Sequence, residues 1–213
     1  MTAAKFLAVL KGDGATAGGP VLASNENSTV FIFYSGPASQ KGQADMPTGP
    51  ALTEAELMDA INYMNDNKMY KQLVIYWSSD YSGSMFANLP DNTKVFAVSS
   101  ASADETQQKS YCPPDDDVVY GYKIGACLAT QFGTTWLQNS TTSDCTALSI
   151  AAQYEKVKDV VKGSTVTLFG DQSFANMPVG AFQGLIDYTE PANAPLDFVY
   201  WYRNRFPIAG QFS

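Results

Sequence analysis

Apolar residues are spread unevenly along this chain, and their spacing alone outlines its elements. Thr29-Val30-Phe31-Ile32-Phe33-Tyr34 is an almost continuous apolar, β-favouring run, the pattern of a strand covered on both faces. Leu73 to Trp77 and Lys94 to Ser99 read as further strands, and Thr165 to Phe169 as a fourth. Between the first two, apolar residues return at helical spacing in Leu57, Ile61 and Met64. Thr53 and Glu56 supply a capping box ahead of them, with Leu52 and Leu57 as the hydrophobic staple, and the helix frays near Asn65-Asp66-Asn67. Phe6 to Leu10 reads as the last turns of a helix stopped by Gly12. Gly83 to Leu89 reads as a short helix, Ala126 to Leu137 and Thr146 to Val161 as longer ones, and Ala192 to Phe206 as a last helix halted by Pro207. Ser100 to Tyr122 is polar, broken by Pro113-Pro114, and reads as an exposed loop.

Strand, helix, strand, helix, strand implies an α/β fold, a mostly parallel sheet with right-handed crossovers flanked by helices. In such a sheet the loops after Tyr34 and after Trp77 leave from the same end. Val74-Ile75-Tyr76-Trp77-Ser78-Ser79-Asp80-Tyr81-Ser82-Gly83-Ser84-Met85 is the informative stretch, a buried strand stopping at a tight polar turn. Ligands of open α/β sheets sit at such strand ends, so Asp80 is expected to stand in any site the chain has.

Composition narrows the chemistry. With 213 residues, 45% apolar and 16% charged, the chain suits one globular domain, residues 1–213. A net charge of −8 argues against nucleic acid or an anionic membrane as partner. No apolar run is long enough to span a bilayer, and no basic-then-apolar leader occurs within these residues. There is no histidine at all. That excludes Ser-His-Asp and Cys-His catalysis supplied from within the chain and removes the commonest metal ligand. No cofactor and no metal is expected. Asp115-Asp116-Asp117 reads as a solvated acidic loop rather than a calcium site. A working carboxylate pair of Asp80 with Asp45 or Asp171 has no support in the spacing. Cys112, Cys127 and Cys145 make an odd count, so at most one internal disulfide forms and one thiol is left over. Asn27-Ser28-Thr29 and Asn139-Ser140-Thr141 are acceptor sequons that either carry sugar or arise by chance. Together with an internal disulfide, if one forms, they point toward the secretory pathway, extracellular or vacuolar/lysosomal.

Phe6-Leu7-Ala8-Val9-Leu10-Lys11-Gly12-Asp13, Tyr63-Met64, Lys68-Met69-Tyr70, Ser82-Gly83-Ser84-Met85 and Leu89-Pro90-Asp91-Asn92 resemble the legumain family, the asparaginyl endopeptidases. Tyr111-Cys112-Pro113, Cys127-Leu128, Gln153-Tyr154 and Leu196 to Arg203 extend the likeness over nearly the whole chain, toward the plant or protist branch. The resemblance implies a caspase-like fold and a cysteine nucleophile with a histidine base. Where the family carries Asp-His-Gly this chain reads Gly36-Pro37-Ala38, so Pro37 stands for the histidine. Where the family carries Glu-Ala-Cys-Glu-Ser-Gly-Ser it reads Ser78-Ser79-Asp80-Tyr81-Ser82-Gly83-Ser84, so Asp80 stands for the cysteine. Ser78 and Thr130 fall on the charged residues of the family's asparagine pocket. The resemblance also implies a bridge between Cys112 and Cys127, two reduced thiols being the alternative.

Proline cannot accept a proton, and a carboxylate is a weak nucleophile toward an amide. The expectation from these positions is therefore a pseudoenzyme: not a peptidase but a structural or interaction subunit of a larger assembly. A regulatory peptide-binding module and residual asparaginyl endopeptidase activity are the alternatives. The family has further strands ahead of the segment matching Phe6. Their absence here would leave Val30–Tyr34 as a bare sheet edge, to be completed by an upstream fragment or a partner protein. The segment matching the family's C-terminal prodomain is expected to be absent as well.

Overall fold

Thr2 caps the first helix by accepting the Lys5 amide at 3.2 Å, and Gly12 turns the chain out of it in the left-handed conformation. In this computed structural model, which describes residues 1–90 and 92–184, α1 (Ala3–Leu10) and the single turn α2 (Gly14–Ala17) precede β1 (Thr29–Ser35). A small ribbon of β2 (Gln43–Ala44) and β3 (Leu52–Thr53) leads into α3 (Glu54–Asp66). Then come β4 (Gln72–Ser78), a 3-10 turn at Ser82–Phe86, and β5 (Val95–Ser99). Short pairs follow, β6 (Lys109–Ser110) with β9 (Ala129–Thr130) and β7 (Val118–Val119) with β8 (Tyr122–Lys123). Last come α4 (Gln131–Thr142), α5 (Ile150–Val160), β10 (Thr167–Gly170) and α6 (Gly180–Gln183).

The main sheet runs β1-β4-β5-β10, the first three parallel and β10 antiparallel. It is mostly parallel and covered by helices on both faces, as the sequence and its caspase-like resemblance imply. Side chains alternate across it. Leu73, Ile75 and Trp77 of β4 join Val95 and Ala97 of β5 on the face covered by α1 and α3. Val74, Tyr76, Phe96 and Val98 point the other way, onto α4, α5 and α6. This two-sided burial is why the strands read as continuous apolar runs. Leu57, Ile61 and Met64 of α3 are fully buried in the first layer, each contributing about 1.5–3 kcal/mol. The Thr53–Glu56 capping box is present in both directions, at 3.3 and 2.9 Å.

Several boundaries differ from the sequence reading. The helix expected from Ala126 starts at Gln131, because Ala129–Thr130 pairs with β6 and Thr130 caps the helix by accepting the Gly133 amide at 3.0 Å. The helix expected from Thr146 starts at Ile150, where Ser149 accepts the Ala152 amide. The short helix after Asp80 is 3-10 and ends at Phe86. Ser100 to Tyr122, read as an exposed loop, contains β6 and β7 and runs into β8. The Cys112–Cys127 bridge closes this segment, and by loop-closure entropy such a loop contributes about 3 kcal/mol. Cys145 is buried and donates to the Ser140 carbonyl. The helix expected at 192–206, with Tyr200-Trp201-Tyr202, lies outside the described residues.

Candidate functional site

Parallel pairing fixes where the strand ends lie. β1 and β4 run in register to the pair Ser35 and Ser78, and the Gly36 amide extends the ladder by donating to the Ser78 carbonyl at 3.1 Å. Pro37 and Asp80 each sit two residues beyond that pair, at the same end of the sheet. Pro37 is exposed, and its carbonyl accepts the Asp45 amide at 2.9 Å and the Tyr34 hydroxyl at 3.3 Å. Burial first, and the Asp45 carboxylate second, push Tyr34 up to about 12. Its neutral form is thus favoured by folding. That contribution is whole below the ordinary tyrosine range near 10 and is lost as pH rises toward about 12. Alkaline titration should show a late tyrosinate step that Tyr34→Phe removes.

Asp80 occupies the turn that Tyr81 makes possible, with a left-handed φ of 54°. Its carboxylate accepts the Gln107 amide at 2.9 Å, the only donor to it among the described residues. Gln107 also reaches with its side chain, accepting the hydroxyls of Ser78 at 2.8 Å and Ser100 at 3.0 Å. Ser78 in turn meets Thr130 at 2.9 Å. The two positions expected to fall on the family's asparagine pocket, Ser78 and Thr130, are thus hydrogen-bonded neighbours. The cluster of Ser78, Ser100, Gln107 and Thr130 is uncharged, and Ser78 is wholly buried within it. Gln107 had no signal in the sequence, since it arrives on a loop and acts through long-range contacts.

The loop from Ser99 to Glu105 backs this turn. The Tyr81 amide donates to the Glu105 carbonyl at 2.9 Å, and the Gly83 amide to Ala101 at 3.0 Å. Burial raises the Glu105 carboxyl, but amides of Ser102 and Thr165, at 2.8 and 2.5 Å, outweigh it and hold it below its ordinary range. Asp45 lies on the Pro37 side, whereas the Asp171 amide bonds the Val95 carbonyl at the start of β5, the opposite end from Asp80. Among the described residues no three acidic or cysteine side chains converge as a metal site. No helix among them is long and apolar enough to cross a membrane.

Residues 1–185 match the model of the Peptidase C13 family. The chain is 33% identical to "Hemoglobinase" of Schistosoma mansoni over 191 residues, 88% of this chain and 42% of that protein. It is 32% identical to human "Legumain" over 189 residues, 87% of this chain and 41% of that protein. Against "Vacuolar-processing enzyme delta-isozyme" of Arabidopsis thaliana it is 30% identical over 206 residues, 90% of this chain and 44% of that protein. The chain spans less than half the length of these relatives. The matches correct one expectation. The chain was expected not to be an enzyme, because Pro37 and Asp80 stand for the family's base and nucleophile. A peptidase-family match along most of the chain, with relatives of these names, overturns that expectation. On that match, and on an α/β sheet whose two critical loops leave from one end, this chain belongs to the Peptidase C13 family.

Proposed function

We propose that this chain is a protease domain that engages polypeptide at the ends of β1 and β4 and works as an interacting subunit of a larger assembly, in a secretory or vacuolar/lysosomal compartment. The observation that carries the reading is the common position of Pro37 and Asp80 beyond the Ser35–Ser78 pair, where open α/β sheets place their ligands. The compartment is supported by the relative named as a vacuolar-processing enzyme.

The chain has no imidazole, and Cys145 is buried against α4 and α5. Hydrolysis at this site would therefore rest on a water polarised by the half-exposed Asp80 carboxylate. A complete nucleophile–base unit is worth roughly 10⁶ in rate, so turnover is expected to be slow. An asparaginyl peptide reporter should be cleaved slowly by the chain, not at all by Asp80→Ala, and unchanged by Cys145→Ser. Cleavage that survives Asp80→Ala would remove Asp80 from the chemistry, and no cleavage by the unaltered chain would remove the hydrolytic part of the proposal. Calorimetry with the same peptide tests the binding part separately.

The assembly part is supported by β1, which is the edge of the described sheet. Beside it lies an apolar groove of about 460 Å³, lined among others by Phe6, Val9, Leu22, Val30 and Ile32. Its backbone edge and groove suit an added strand, from an upstream segment or a partner protein. A size measurement showing a lone, well-folded monomer would count against this.

A further inference from the structure

The two sequons occupy opposite situations. Asn27 lies in a tight turn closed by the Ser28 amide on the Asn25 carbonyl at 2.9 Å and by the Asn27 amide on the Asn25 side chain at 2.9 Å. Asn27 itself is exposed, and its side-chain amide bonds no described residue. It stands just ahead of β1, at the end of the sheet opposite Pro37 and Asp80. Asn139 is half-buried within α4. Its Nδ2 donates to Ser143 at 3.2 Å and its Oδ1 accepts from Gln153 Nε2 at 3.4 Å. Gln153 is fully buried and holds Ser140 at 2.7 Å and the Tyr76 hydroxyl at 2.8 Å. A sugar on Asn139 would displace Ser143 and bear on the packing of α4 against α5. A sugar on Asn27 displaces no side-chain bond to a described residue.

We propose that Asn27, and not Asn139, carries an N-linked oligosaccharide. The donor is a polyprenyl-pyrophosphate-linked oligosaccharide. The Asn27 Nδ2 forms a bond to the anomeric carbon, the anomeric carbon–oxygen bond to pyrophosphate breaks, and the amide loses one proton. The modification places a bulky, hydrated group at the sheet end remote from the site and leaves the strand-end cleft open.

The test is glycopeptide mass spectrometry on the chain recovered from the secretory route of eukaryotic cells, with a host glycoprotein followed in the same preparation. The Asn27 peptide should carry sugar and the Asn139 peptide none. Peptide N-glycosidase should remove the whole mobility shift, Asn27→Gln should abolish it, and Asn139→Gln should leave it intact. Bare Asn27 beside a glycosylated host protein, or sugar on Asn139 of the folded chain, overturns the proposal.

Discussion

Trp77→Ala should lower the unfolding free energy by about 3–5 kcal/mol, a large share of the roughly 5–15 kcal/mol that domains possess. Trp77 is wholly buried at the end of β4, stacked on Tyr34 at 4.3 Å and set edge-on to Phe86 at 6.0 Å. Truncation removes the contact that ties the β1 end to the turn carrying Asp80 and leaves a cavity between them. The indole Nε1 has no acceptor among the described residues. Trp77→Phe should therefore lose far less, since it keeps an aromatic ring and discards an unpaired donor. Denaturant midpoints of the two variants check the ranking. A loss in Trp77→Phe equal to that in Trp77→Ala would mean that the indole nitrogen is satisfied after all.

Gly170→Ala should cost about 2–5 kcal/mol, combining a left-handed backbone with a steric conflict. Gly170 has a φ of +79°, and a Cβ there would come within 2.2 Å of the Val95 carbonyl oxygen and 2.9 Å of Leu89 Cδ2. The neighbouring bond from the Asp171 amide to Val95, at 2.7 Å, leaves β10 no room to withdraw. The damage should centre on the β5–β10 pairing, so amide exchange should rise there while the β1–β4 pairing stays protected. Uniform exchange across the sheet would show that β10 is integral to the whole unit.

The strands and α3 were legible because their signals are local. β4 and β5 are sandwiched between helices, and burial on both faces forces apolar residues at consecutive positions, whereas the edge strand β1, expected to be covered on both faces, buries Val30 and Ile32 but leaves Phe33 41% exposed. The capping box at Thr53 is a contact across three residues and can be read directly. Helical spacing places the start of α4 too early, because the segment before it is held extended by β6 and by the disulfide, and spacing carries no record of either. The same holds within the site. The common end of Pro37 and Asp80 follows from strand order and crossover handedness, whereas Gln107 joins Asp80, Ser78 and Ser100 only once the loop after β5 has folded back.

The kind of scaffold and the absence of imidazole are legible in the sequence alone. These depend on residue type and on periodicities short enough to lie within one element. The fold decides that Ser78 and Thr130 touch, that the Gln107 amide reaches the Asp80 carboxylate, and that Asn27 is exposed while Asn139 meets Gln153 between α4 and α5. Those contacts join residues 14 to 52 positions apart, and only the packed sheet and its helices bring such residues together.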